Sequence, residues 1–243
     1  MPPGIDPKVD FAFKRMLGSP EHPAVTIHFL NSVLQLTDPV TDVEILNPIQ
    51  DKAHFSAKQA VLDVLARDNR GRRLNIEMQT TLPEALCERL TYYNCLNYVR
   101  QIKHGEEYEH LRPTISICVL DKVLFRAVNL YHLSFRLHCD QTDLVFSNDL
   151  EFHTLELPKF QPASNNVGAM SPVDKWAFLL KYAPEMELDA LANLLGDAAF
   201  YEAIGVLVMI SKSEEELILY ESRVKAARDE QARLRHAQNE GRE

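Results

Sequence analysis

The stretch that decides the fold begins Lys58-Gln59-Ala60-Val61-Leu62-Asp63-Val64-Leu65-Ala66. It turns through Arg67-Asp68-Asn69-Arg70-Gly71-Arg72-Arg73 and returns as Leu74-Asn75-Ile76-Glu77-Met78-Gln79. Both flanks alternate apolar and polar residues with period two, so each reads as a strand. Asn, Arg and Gly between them read as a hairpin loop. A loop centred on Arg70 sets Asp63 directly opposite Glu77, and directly opposed residues have Cβ atoms roughly 4.5–5.5 Å apart. Leu62, Val64 and Ala66 then share the other face with Leu74, Ile76 and Met78. That apolar face fixes the register, because a one-residue slip would turn Asp63 or Glu77 into the core. Gln79 follows Glu77 at i+2 and points the same way.

Like charges placed opposite one another repel, and a fold that keeps them usually has a cation to hold. Two carboxylates on adjacent strands suit Mg²⁺, a hard cation that takes oxygen ligands and keeps waters for substrate phosphates. The other reading is a solvent-facing hairpin carrying two unrelated acids. Spacing alone does not separate the two.

The segment resembles the PD-(D/E)xK nuclease superfamily, in which an Asp precedes a Glu-x-Lys on a paired strand. Here the last position is Gln79. The chain is more similar to the Rpn family of recombination-promoting nucleases and transposases, which ends this strand in Glu-x-Gln. The resemblance rests on Asp10-Phe11-Ala12-Phe13-Lys14, then Phe29-Leu30-Asn31, then Lys58 ahead of Leu62-Asp63-Val64. It continues through Asn75-Ile76-Glu77-Met78-Gln79, Arg89, Tyr92-Tyr93, Gly105 and Tyr108, in order across roughly the first 125 residues. It implies an α/β restriction-endonuclease-like core, a mixed sheet flanked by helices. It also implies a metal-dependent endodeoxyribonuclease linked to recombination or mobile elements, with DNA as substrate and Mg²⁺ or Mn²⁺ as cofactor.

On that resemblance Asp63 and Glu77 are metal ligands and, with Gln79 and Asp10, the catalytic set. Gln79 would orient water or phosphate by hydrogen bonds, since an amide is no general base at neutral pH. Asp10 can equally be a surface acid paired with Lys14 at i+4. Lys14 and Lys58 are candidates to replace the missing motif lysine, or salt-bridge partners. Both are also candidate DNA contacts, together with Arg72 and Arg89. Arg67, Arg70, Arg72 and Arg73 crowd the hairpin loop, as a solvated loop or as phosphate contacts. Arg89 lies on a stripe with Tyr93, Leu96 and Arg100, to meet phosphates, brace the metal-site strands or snorkel at the core's edge.

Composition sets wider bounds. The 243 residues can bury a full core, and 46% hydrophobic with 25% charged residues is ordinary for a globular protein. No apolar run reaches membrane-spanning length and Met1-Pro2-Pro3-Gly4 lacks signal-peptide character, so a cytoplasmic protein is expected. Cys87, Cys95, Cys118 and Cys139 form no Cys-x-x-Cys pair and read as buried reduced thiols. The nine His are scattered and read as surface or satisfied core positions. A net charge of −9 argues against a large sequence-independent DNA surface and leaves room for a local basic rim.

Punctuation divides the chain. A helix is expected over Lys8–Leu17, capped by Gly18, and a second from Pro23 to Leu36. Val43–Leu46 reads as a strand, Pro83–His104 as a long helix, and Pro113–Leu120 as a central strand. Leu144–Phe146 and Phe152–Leu157 read as two more strands. Residues 1–160 form the expected nuclease-like domain, and Pro158–Ser171 the linker. Residues 171–243 form the expected helical appendage, with helices from Pro172, over Glu187–Met209, and from the capping box Ser213-Glu214-Glu215-Glu216. Leu217, Ile218 and Tyr220 are the last residues expected to pack, and the helix beyond is solvated or pairs in a homo-oligomer. The alternatives to a metal-dependent nuclease are a decayed nuclease fold acting as a DNA-binding or interaction protein, and a hydrolase of another phosphate ester.

Overall fold

The alternation about Arg70 forms a hairpin, and a six-stranded mixed sheet is built outward from it. The computed structural model describes residues 4–46, 63–162 and 166–240; of residues 234, 235 and 237–240 it describes the backbone alone. Lys58 and Leu62 lie outside the described residues. Strand β1 (Val43–Leu46) pairs antiparallel with β2 (Val64–Asp68), which pairs antiparallel with β3 (Arg73–Gln79). Strand β4 (Thr114–Leu120) lies parallel to β3, and β6 (Val145–Glu156) parallel to β4. Strand β5 (His132–His138) closes the edge antiparallel to β6, giving the order β1-β2-β3-β4-β6-β5. A parallel pair needs a crossover, and helix α3 (Leu86–Val99) supplies the one between β3 and β4.

The β2–β3 ladder matches Val64 with Ile76 and Ala66 with Leu74, symmetric about Arg70. Its turn is held by Asp68, whose Oδ1 accepts the N–H groups of Arg70 and Arg72, each at 2.9 Å. Gly71 takes φ +78°, a left-handed conformation that costs glycine least.

One face of the sheet presents Val64, Ala66, Leu74, Ile76, Ile117 and Val119, all buried. They pack in one core with α1 (Asp10–Leu17), α2 (Pro23–Leu34) and the C-terminal helices. Those are α4 (Pro172–Tyr182), α5 (Leu188–Leu195), α6 (Ala198–Lys212) and α7 (Glu214–Glu240). Trp176 on α4 joins the two halves of the chain. Its ring lies 5.3 Å from Phe29 and 4.8 Å from Phe200, and its Nε1–H donates to His28 Nδ1 at 3.0 Å. The opposite face of the sheet is covered by α3. The α/β architecture, a mixed sheet with helices on both faces and helices at the C-terminal end, is the one the resemblance implies.

Several boundaries differ from expectation for local reasons. The first helix begins at Asp10, because Asp6 Oδ1 accepts the Lys8 N–H at 2.9 Å and holds that segment in a turn. Ala85 takes a left-handed φ of +58° and delays α3 to Leu86. The two short strands expected after residue 144 are one strand, β6, and β5 was not expected at all. The Glu187–Met209 segment is two helices, parted where Gly196 takes φ +79° and ends α5. Ser213 does cap α7, its Oγ accepting the Glu216 N–H at 3.3 Å. Leu217 and Tyr220 pack on the core, whereas Ile218 is 60% exposed. Of the four free cysteines only Cys118 is buried. Among the described residues no helix is long and apolar enough to cross a membrane.

Candidate active site

The second face of the hairpin carries Leu65, Asn75 and Glu77. It is not the solvent face that alternation suggests, since Asn75 is 1% and Glu77 4% exposed. Helix α3 lies over it. Leu86 and Leu90 pack on Cys118 and Leu120, and Asn94 Nδ2 donates to Ser116 Oγ at 3.0 Å and to the Glu151 carbonyl at 3.1 Å. Alternation reports which residues share a face, not whether another element covers it.

Asp63 immediately precedes β2, and one further step of the ladder beyond Val64–Ile76 leads to Glu77. Its Oδ2 accepts the Met78 N–H at 2.9 Å, and its Oδ1 lies 3.2 Å from Lys14 Nζ. The same ammonium lies 3.4 Å from Asp10 Oδ2. Helix α1 comes this close because Gly18 lacks a side chain: a Cβ there would sit 2.9 Å from both the Lys14 carbonyl oxygen and Val64 Cγ2. Glu77 Oε1 accepts from Asn75 Nδ2 at 2.9 Å, and Oε2 accepts from Gln79 Nε2 at 3.3 Å. Arg89 Nη2, reaching down from α3, stands 3.6 Å from Glu77 Oε2.

Burial pushes both carboxyl groups above the usual carboxylate range. For Glu77 the Asn75 hydrogen bond and the Arg89 charge pull back, while the Asp63 charge adds to the rise. For Asp63 the Met78 N–H and Lys14 pull back, while the Asp10 charge adds to the rise. Cys118 aligns with Glu77 on β4, and burial followed by the Glu77 charge pushes its thiol up as well.

The structure therefore gathers Asp10, Lys14, Asp63, Glu77, Gln79 and Arg89. It does not gather Arg72. That side chain is buried on Asp68 in the turn, at the far end of β2 from Asp63. The neighbouring loop arginines are also engaged, Arg67 with Glu44 and Arg70 with Asp38. The loop sits a strand's length from the carboxylates, because a hairpin's turn and its open end are opposite ends. Asn75 was not singled out from sequence, although it shares the Glu77 face at i−2. The Lys14–Asp63 link has no local signature.

Glu77 and Gln79 stand towards the carboxyl end of β3, beside the carboxyl end of β4. Ligands of open α/β sheets bind outside such strand ends. A groove of about 900 Å³ lies there, lined by Met78, Thr80, Asp121 and Asp10 on one side. Glu221, Arg223, Arg228 and Asp229 of α7 line the other. Among the described residues no three His, Cys, Asp or Glu side chains converge on a common point as a metal cage would require. Instead the ammonium of Lys14 stands between two of the acids.

A second polar cluster fastens the sheet edge. His153, 3% exposed, meets Glu151 Oε1 through Nε2 at 2.9 Å and His132 Nε2 through Nδ1 at 3.0 Å. Burial, then the neighbouring His153, pushes His132 down to about 4. Burial alone would raise Glu151, but the bonds from His153 and Arg136 outweigh it and hold the carboxyl low. These groups tie β5 to β6 as satisfied polar residues.

A family model described as PD-(D/E)XK nuclease family transposase matches residues 7–237. No curated protein and no solved structure matches the chain.

Proposed function

Because the chain belongs to the PD-(D/E)XK nuclease family of transposases, we propose that it is a metal-dependent DNA endonuclease whose phosphodiester chemistry runs on Asp63 and Glu77. The family and the α/β restriction-endonuclease-like fold give the nuclease class. One observation carries the finer reading. Asp63 stands near enough to Glu77 for its charge to raise the Glu77 carboxyl, in a site that burial makes unfavourable for both charges. A fold that needed only structure would fill such positions with neutral or apolar groups.

The donor set fits a hard divalent cation. Asp63 and Glu77 would hold Mg²⁺ or Mn²⁺ with Asp10 beside them, and the ion would supply a water of lowered pKa and offset charge at the phosphate. Asn75 and Arg89 fix the Glu77 carboxylate, so its orientation does not depend on substrate. Gln79 presents an amide at the same edge, able to orient a water or a phosphate oxygen. Among the described residues Lys14 brings an ammonium to these acids, from α1 instead of from the end of β3. The groove along α7 would take the strand, with Arg223 and Arg228 towards its phosphates.

A second reading has a specific observation in its favour. Lys14 already pairs with both Asp10 and Asp63, and no three-acid cluster forms among the described residues. On that reading the fold is a decayed nuclease that binds DNA or another macromolecule. Supercoiled plasmid incubated with the purified protein separates the two. The nuclease reading expects nicking or linearisation with Mg²⁺ or Mn²⁺, none in EDTA and none by Asp63→Ala. Intact plasmid under every metal condition leaves the non-catalytic reading.

A further inference from the structure

We propose that Lys14 is the resident counter-ion of the carboxylate site, which a divalent cation must displace in order to bind, so that metal loading turns Lys14 outward to the substrate phosphate. The inference rests on the metal-dependent reading above and adds to it a residue that sets metal affinity.

Both Asp63 oxygens already have partners. Oδ2 is taken by the Met78 N–H at 2.9 Å. Oδ1 faces Lys14 Nζ at 3.2 Å, and that ammonium also holds Asp10 Oδ2 at 3.4 Å. An ammonium and a divalent ion on the same carboxylate oxygen would stand within a few ångströms of each other. Repulsion at that range is only weakly screened in a partly buried site. One of the two has to leave. Asp63 cannot, because its side chain is 15% exposed and anchored to the backbone of β3.

Lys14 can. Its side chain is 33% exposed, and its flexible stem ends in a point charge that needs no fixed plane of partners. It also borders a cavity of about 210 Å³ between α1 and Arg223 of α7, into which the ammonium can swing. Asp10 borders both this cavity and the larger groove, so an ammonium leaving Asp63 remains beside the path proposed for the strand. Arg89 is placed differently: it approaches Glu77 only to 3.6 Å and buries its Nε against the sheet. The same arrangement explains why the acids form no cage among the described residues, since Lys14 already meets the charge of two of them.

The test is calorimetric titration of Mn²⁺ into the full chain, in wild type and in Lys14→Met and Lys14→Gln. Both substitutions remove the charge, and Gln keeps a donor for Asp63 should Met fail to fold, which melting in EDTA reports. Both variants should bind Mn²⁺ about tenfold or more tightly than wild type, a tenfold step being about 1.4 kcal/mol. Lys14→Arg, which keeps the charge, should not. Binding should tighten while DNA cleavage slows, because the group meant for the phosphate is gone. A merely structural lysine predicts the opposite sign, since its loss would slacken α1 against β2 and weaken the site. Equal or weaker Mn²⁺ binding by a folded Lys14→Met or Lys14→Gln overturns the inference while leaving a metal-binding wild type intact. If neither wild type nor variants bind Mn²⁺, the metal-dependent reading falls and takes the inference with it.

Discussion

At the scale of single residues, the site is built against stability. A carboxyl group whose pKa is raised by folding keeps its proton longer in the native state than in the unfolded chain. Stability therefore falls as pH rises from the ordinary carboxylate range through the raised value. Asp63 and Glu77 both act in this direction, with burial as the leading cause. Removing the charge without the volume should help the fold. Glu77→Gln should melt a few degrees higher than wild type in EDTA at pH 7, and the gap should close as pH drops below about 4; equal melting at both pH values would show that Glu77 carries no such cost. Gln79 should behave as an orienting group. Gln79→Ala should slow cleavage by about two orders of magnitude, the lower end of the effect of losing one hydrogen-bond donor at a reacting centre. Gln79→Lys should keep activity or raise it, if the strand end can still present an ammonium. Single-turnover rates on one DNA substrate decide between these outcomes. The Asp63–Glu77 pairing was legible in sequence because a hairpin is local and its turn fixes which residues meet. Lys14 against Asp63 was not, because nothing in either segment records that α1 docks on β2.

At the scale of elements, that docking depends on one missing side chain. Gly18 ends α1 against the first residue of β2, and a Cβ there would meet backbone on one side and Val64 on the other. Gly18→Ala should cost about 1–3 kcal/mol in urea unfolding, the range for overpacking a tight contact. It should also loosen Lys14 from Asp63, which an altered Mn²⁺ affinity would register. Unchanged stability would mean that α1 and β2 part easily. The strands with strongly buried residues, β2, β3 and β4, were legible because burial on one or both faces writes a clear pattern. Strand β5 was missed, although Leu133, Phe135 and Leu137 alternate with polar residues. It is an edge strand with most of its residues exposed, so little burial shaped its composition. Helix α3 was legible as a helix but not as the cover of Glu77. Its inward positions include Asn94 and Asn97 beside Leu86 and Leu90, which blurs an apolar stripe.

At the scale of the whole molecule, a chain of net charge −9 must confine its attraction for DNA to a small region. In the groove at the strand ends, Arg223 and Arg228 of its outer wall, α7, are the charges proposed to supply that attraction. Arg223→Glu with Arg228→Glu should weaken binding of a fluorescent oligonucleotide and flatten its salt dependence by about 0.7–0.9 in log–log slope per lost phosphate contact. The same affinity and slope as wild type would move the DNA path elsewhere. The C-terminal helices were legible as helices from their caps, Ser171 and Ser213. Their attachment through Trp176 to α2 was not, since an aromatic in an amphipathic helix does not name its partner. The central claim is that Asp63 and Glu77 run metal-dependent hydrolysis of DNA. It is tested most directly by cleavage of an end-labelled DNA duplex across a Mg²⁺ titration, with wild type beside Glu77→Gln, a variant expected to fold at least as well. The wild-type rate should rise with Mg²⁺ and saturate, and Glu77→Gln should show no cleavage above the level in EDTA. Equal rates for the two proteins, or cleavage indifferent to Mg²⁺, would contradict that claim.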